Sequence, residues 1–229
     1  MLDASRAGLL AGGLAASWIA VASPLGSLDC SLLIAHMLQH LILMTVAAPL
    51  ILMGMPTIPA PRGILRSVGR ILTHPMLCWF AGTGVVIAWH VPRIFAVGMS
   101  SEFWHAVQHA SFFAAGLLFW WPILRSRPGA RRPQTWTLPL YLFLATLPCD
   151  ALSAFLTFCD RVVYPAYVSM PRPFGLTALQ DQEWAGTIMW VWVTFAYLIP
   201  AFSITMRLLS PQLSKAGALT PGEHYPRSI

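Results

Sequence analysis

Two stretches of this chain place a pair of histidines four residues apart, "HMLQH" at residues 36 to 40 and "HAVQH" at 105 to 109, each with a glutamine before the second histidine. On a helix, residues i and i+4 stack on one face, about 6 Å apart along the axis. His36 with His40, and His105 with His109, can therefore each present two imidazoles to one ion, as the histidines of HExxH zinc sites do. The position after the first histidine is Met37 or Ala106, so the glutamate base of that protease motif is missing. Gln39 and Gln108 flank the seam and are placed to orient an imidazole through its second nitrogen. The plainer reading is interhelical hydrogen bonding, which also holds membrane helices together.

The elements that carry these pairs are strongly apolar. The chain of 229 residues is 57% hydrophobic and only 10% charged, against roughly 25% charged in soluble domains. Apolar runs of about 20 residues identify lipid as the main solvent. We expect an all-α polytopic bundle of about six spans, a single membrane domain, with spans at 7–23, 32–53, 76–95, 103–124, 138–158 and 184–207. The stretches "SPLGS", "GMPTIPAPRG" and "RSRPGARRP" break the runs with turn composition. Pro49 and Pro200 fall inside spans, where a kink is tolerable. The first segment is short and ends in "AVAS", which also resembles a signal-peptide cleavage site. Its weak positive region, carrying Asp3, favours a retained helix.

Charge gives the expected orientation. Arg62, Arg66 and Arg70 occupy the second loop, and Arg125, Arg127, Arg131 and Arg132 the fourth. Arg6, Arg207, Lys215 and Arg227 lie at the termini, while only Arg93, Arg161 and Arg172 fall in the other loops. Cationic loops stay inside, so both termini and the tail 208–229 are expected in the cytoplasm. Arginines spread over short loops are topology signals, which argues against a nucleic-acid partner despite the net charge of +6. The cysteines Cys30, Cys78, Cys149 and Cys159 form no CxxC pair, which excludes a thioredoxin-like or thiol-based carrier motif.

That topology brings five histidines towards one level. The second and fourth spans run inward, so His36, His40, His105 and His109 lie in their first two turns, and the third span delivers His90 near its outer end. Asp150 falls roughly 12 Å deep in the fifth span at 1.5 Å per residue, about as deep as His40. A carboxylate within a span is a functional candidate by default: it could bind metal, hydrogen-bond a histidine, or be protonated. Asp181, Gln182 and Glu183 open the sixth span at the same end, where Asp181 also suits a helix N-cap. His74 and His224 lie elsewhere and are incidental.

The convergence favours a metal site with His36, His40, His90, His105 and His109 as ligands. Asp150, Asp181, Gln39, Gln108 and Gln182 would support them or add a ligand. Imidazole alone suits zinc, copper, iron and nickel. Met37, Met44, Met99, Met170, Cys30, Cys149 and Cys159 on the same side shift the balance towards copper, particularly Cu(I), although methionine in a membrane helix is usually apolar filler. Haem b is the competing cofactor, with one imidazole from each of two helices. Stacked haems need ligands further apart than four residues, which would leave one histidine of each pair idle.

The stretch "SPLGSLDCSLLIAHMLQHLILMTVAAPLILMGMP", followed by "WHVPRIF", "FWHAVQHASFFAAGLLFWWPIL", "LYLFLATLPCDALSAFL" and "DQEWAGTIMWVW", resembles the caa3-type cytochrome c oxidase assembly factor family over about residues 23 to 207. The resemblance implies a multi-pass protein of the bacterial inner membrane, needed to mature a haem–copper oxidase and taken to supply its copper. An oxidase subunit would be the partner, with a periplasmic copper donor a further one. It matches His36, His40, His90, His105 and His109 to the family's motif histidines, and Asp181 with Gln182 to its DQ pair. The chain departs by being short, since relatives often carry an extra N-terminal span. No residue reads as a nucleophile or hydrolytic base, so we expect a non-enzyme. A b-type haem electron carrier, a zinc-dependent membrane hydrolase and a purely structural scaffold are the rival readings.

Overall fold

A computed structural model describes residues 4–56, 63–125 and 136–218. Among them the chain is helical with no strand, as the unbroken apolar runs require: only internally hydrogen-bonded helices satisfy the backbone in hydrocarbon short of a closed barrel. Helix α1 spans Ala4–Ala22 and α2 Pro24–Leu28. Helix α3, Leu33–Ile42, continues through a π-turn at Leu43–Ala47 into α4, Ala48–Gly54. Helices α5, Ile64–Leu72, α6, Pro75–His90, and α7, Pro92–Gly98, precede α8, Glu102–Leu124, α9, Thr137–Phe158, and α10, Ala178–Ala218. Among the described residues, five helical stretches are long and apolar enough to cross a membrane, six if the bent pair α6 and α7 counts as one span. Many large apolar side chains point outward, among them Leu14 at 63%, Phe195 at 60% and Phe202 at 63% exposure, as lipid contact requires.

Four expectations change. The third span is not a continuous helix over 76–95: α6 and α7 meet at an angle of 86°. Pro92 lacks an amide hydrogen and biases Val91 towards extended backbone, here φ −66° and ψ 124°, so the ladder ends at His90. The sixth span is longer than 184–207, since α10 begins at Ala178 and continues to Ala218 into the expected tail. Its start is set by a capping box in which Thr177 Oγ1 accepts from the Gln180 amide at 3.2 Å and Gln180 Oε1 accepts from the Thr177 amide at 3.0 Å. Asp181 is therefore not the N-cap of its own helix. The loop between the second and third spans also holds a helix, α5, which turn composition did not announce. Arg62, Arg127, Arg131, Arg132, Arg227 and His224 lie outside the described residues.

The π-turn has a local cause. A proline at position 49 has no amide to give to the preceding turn, and its ring crowds the carbonyl four residues back. The ladder widens there, with the Ala48 amide reaching Leu43 O. Met44 O, whose π-register partner would be Pro49, instead accepts from Trp120 Nε1 at 3.0 Å. Gly116 allows that approach of α8, because a Cβ there would stand 2.9 Å from Met44 Cα and O. On the other side α1 packs on α4 through Gly13, where a Cβ would stand 2.9 Å from Ile51 N. At the end away from the histidines, Arg125 donates to Met55 O at 2.9 Å and Pro56 O at 2.6 Å, a cation fastening the carbonyl end of α4.

Candidate metal centre

Helices α3 and α8 begin at the same end of the bundle, and α6 finishes there. Their terminal turns carry all five histidines, and the short helix α7 folds across them, placing Phe95 5.1 Å from the His36 ring. A loop between α9 and α10 lies over this end. Tyr164 and Tyr167 are buried within it, donating to His90 O at 3.1 Å and Asp29 O at 2.6 Å. Burial raises both phenols well above their usual range, and for Tyr167 the nearby Asp29 adds to the effect. They therefore stay protonated as donors to these carbonyls.

Four imidazoles pack ring against ring. His36 and His40 lie 4.3 Å apart, His105 and His109 4.3 Å, His36 and His105 5.4 Å, and His40 and His109 5.5 Å between centroids. The planes of His36 and His105 are 13° from parallel. Both ring nitrogens of His36 and of His40 are buried without a hydrogen-bond partner. An unpartnered buried polar atom costs about 1–3 kcal/mol, and here several occur side by side. An electron-pair acceptor placed among them would relieve that cost.

The tightest donor group is Asp29, His36 and His105, whose ligand atoms all lie within 4.8 Å of one another. His105 Nε2 stands 3.4 Å from Asp29 Oδ2, but the atoms are not aligned as a hydrogen bond and this nitrogen too lacks a partner. Two ligands on one tetrahedral ion, each about 2.0–2.1 Å from it, stand roughly 3.3 Å apart. The pair has the span of neighbouring ligands. Asp29 was not singled out in the sequence, although the carboxylate in "GSLDCS" lies seven residues before His36, two helical turns. The break between α2 and α3 hid that relation.

His40 stacks on Phe112 with centroids 3.9 Å apart. His109 Nε2 lies 3.2 Å from Gln39 Oε1; a carbonyl oxygen only accepts, so Nε2 donates and Nδ1 keeps the lone pair. Gln39 thus orients a histidine of the neighbouring helix. Gln108, at the equivalent position, does not: its amide oxygen and nitrogen are buried without partners. His90 stands slightly aside. Its Nδ1 donates to Val86 O at 2.7 Å, and its Nε2 faces Met37 Sδ at 3.3 Å.

The acidic candidates take other places. Asp181 accepts from the Leu33 amide at 2.7 Å and the Ile34 amide at 3.1 Å. It caps α3, whose preceding residue Leu32 offers no side-chain cap, and so holds the helix bearing His36 and His40 rather than joining the ligands. Gln182 is spent on the covering loop, accepting from the Val163 amide at 2.7 Å and donating to Arg161 O at 3.0 Å. Asp150 accepts from Thr194 Oγ1 of α10 at 3.3 Å. Cys30, beside Asp29, is exposed. Its thiol is pushed up to about 11 by partial burial first, then by a hydrogen bond with Asp29 and by that carboxylate's charge.

Among known protein families, the one described as "Cytochrome c oxidase caa3 assembly factor" matches residues 2–210. No curated protein and no solved structure matches the chain.

Proposed function

From the premise that the chain belongs to the cytochrome c oxidase caa3 assembly factor family, we propose that it carries copper at its histidine end and delivers it to an immature haem–copper oxidase beside it in the membrane. Asp29, His36 and His105 would hold the ion, with His40 and His109 as alternative ligands along the same two helices. The observation that carries this reading is His36. Neither of its buried ring nitrogens has a partner, yet a carboxylate and a second imidazole offer atoms within 4.8 Å of it. Ring spacings of 4.3 to 5.5 Å between neighbouring imidazoles leave no room for a porphyrin between them, which favours a small ion over haem b.

More ligands than one ion needs suit a carrier. A cargo ion can step from the Asp29 group to the His40 and His109 pair by exchanging one imidazole at a time, without ever being bare. The role is a carrier's and not a catalyst's. The distribution of arginines supports both termini in the cytoplasm, so in a bacterial inner membrane the histidines would face a periplasmic copper donor and the oxidase's outer half. Zinc shares much of this donor chemistry and is the competing ion in the test.

Detergent-purified protein, loaded anaerobically with Cu(I) and dialysed, is expected to retain copper, and His36→Ala with His105→Ala to retain less of it. The same double variant should leave cells deficient in oxidase activity. Equal copper retention and equal oxidase activity would overturn the reading in favour of a structural scaffold. Preferential retention of zinc over copper, or a Soret band in the purified protein, would overturn the choice of ion.

A further inference from the structure

Next to the imidazole cluster, between α3, α6, α9 and α10, lies a cavity of about 20 Å³ whose lining includes Met37, His40, Met44, His90, Cys149 and Met189. That volume accommodates one water-sized body. A buried water needs two to four polar partners, and a wall made mainly of thioethers, a thiol and apolar carbon supplies few. The lining does suit one class of occupant, since sulfur and imidazole are the ligands that select soft metal ions.

His90 supplies the sharper observation. Its Nδ1 faces the Val86 carbonyl at 2.7 Å, and a carbonyl can only accept, so Nδ1 carries the proton. In the neutral ring Nε2 is then a bare lone pair, and it points at Met37 Sδ, 3.3 Å away. A thioether has no proton to offer, so two electron-pair donors face each other across the edge of a cavity. Anchoring one imidazole nitrogen to a backbone carbonyl while the other stays free is how metal-ligating histidines are commonly oriented. With metal–sulfur and metal–nitrogen bonds near 2.3 and 2.0 Å, two ligands of one ion stand roughly 3.3–3.7 Å apart.

We propose that this cavity is a second, sulfur-lined site for a soft monovalent cation, Cu(I) or Ag(I), with Met37 Sδ and His90 Nε2 as its core ligands and Met44, Cys149 or Met189 completing it. His40 borders both this cavity and the imidazole cluster, with its two nitrogens unpartnered, and is the residue across which an ion passes between them. The biological sense of the site rests on the copper-carrying reading, whereas its chemistry is independent of the Asp29 group. No electron is transferred, because the ion binds and leaves as the monovalent cation.

Ag(I), which does not change oxidation state under these conditions, is the direct probe, with Zn(II) as the probe of the Asp29 group. X-ray absorption of the wild-type full chain in detergent, loaded with one equivalent of Ag(I), is expected to show sulfur scatterers in the first shell. Met37→Leu with Met189→Leu, a nearly volume-conserving change, should weaken Ag(I) binding at least tenfold while Zn(II) binding stays as in the wild type. His36→Ala with His105→Ala should do the converse, losing Zn(II) and keeping sulfur-bound Ag(I). Purely nitrogen and oxygen coordination of Ag(I), or undiminished Ag(I) affinity in the methionine variant, would overturn the sulfur-lined site and leave the Asp29 group standing. Loss of Zn(II) binding by the wild type with sulfur-bound Ag(I) retained would overturn the Asp29 group alone. The same spectrum from Cys30→Ser with Cys159→Ser, in which the accessible thiols cannot supply the sulfur, decides the matter even if the methionine variant misfolds: sulfur scatterers retained support the cavity, and their loss overturns it.

Discussion

The two histidine pairs are close copies in sequence and unlike in place. His36 is fully buried and His40 nearly so, both on a helix that begins under the covering loop, and neither ring has a hydrogen-bond partner. His105 is 18% exposed and faces Asp29, while His109 is held by Gln39. The glutamines differ most: Gln39 reaches across to the other helix, and Gln108, in the same position of its own pattern, meets no partner. A repeated spacing therefore repeats a face but not an environment. One pair is buried throughout, and the other opens to the rim at His105 alone.

Removing a ligand from each side tests that division most severely. His36→Ala is expected to weaken copper binding by more than about 100-fold, beyond the 10–100-fold typical of losing a supporting hydrogen bond, because no solvent reaches the buried pair to replace it. His105→Ala should cost about tenfold, since water can take a rim position. Equal losses by competition titration against a chromophoric Cu(I) chelator would erase the distinction.

The glutamines give the next largest contrast. Gln39→Leu frees the His109 ring and should weaken binding roughly 10–100-fold. Gln108→Leu removes two unsatisfied buried polar atoms and should leave affinity unchanged while stabilising the fold by about 1 kcal/mol. Thermal unfolding in detergent together with the same titration would show whether the two substitutions separate in this way. If Gln108→Leu alone impairs binding, that glutamine supports a ligand after all.

A smaller effect lies at the start of α3. Asp181→Ala removes the cap of α3, for a loss of about 1–2 kcal/mol, read as a lower unfolding temperature. Thr177→Ala uncaps α10 at an exposed edge and should cost less, about 0.5–1 kcal/mol. The reverse order would mean that Asp181 does not anchor α3.

Smallest is a reactivity difference at the rim. With its pKa raised to about 11, Cys30 is a protonated thiol near neutrality, where an ordinary cysteine near 8.5 already ionises appreciably. The thiolate fraction grows as pH rises towards 11. Maleimide labelling of Cys30 should therefore be slow at pH 7 and keep accelerating past pH 9, where an unperturbed thiol levels off. A plateau by pH 9 would show that Asp29 does not press on this sulfur.

Much of this was readable from residue types and spacing. The helical spans follow from apolar run length, and the alignment of His36 with His105 follows from where the runs begin. What escaped depends on contacts between distant segments. Asp181 looks like a cap for the helix it sits on, but Thr177 and Gln180 had already closed that end, leaving the carboxylate to α3, about 150 residues earlier. Asp29 was hidden because its helix breaks before α3, so its alignment with His36 arises from the turn and not from a helical repeat. Met189 was not singled out in the sequence, and only the packing of α10 on α3 and α9 brings it to the cavity. The bend at Val91 has its local cause in Pro92, which the apolar run over 76–95 masked; its size is 86°, and Tyr164 of the covering loop donates to His90 O beside it.

The π-turn at Leu43–Ala47 has one more consequence. An α-helix advances about 100° per residue, so an extra residue would turn α4 by that much against α3 unless a wide turn absorbed it. Deleting one residue between 43 and 47 would restore an ordinary ladder and leave Leu52 and Gly54 close to their present heading, whereas the same deletion between 48 and 51 would swing them about 100° away from the neighbours they now meet. The histidine half of this helix and the half that grips α1 thus tolerate a one-residue change in length at the π-turn and nowhere else between them.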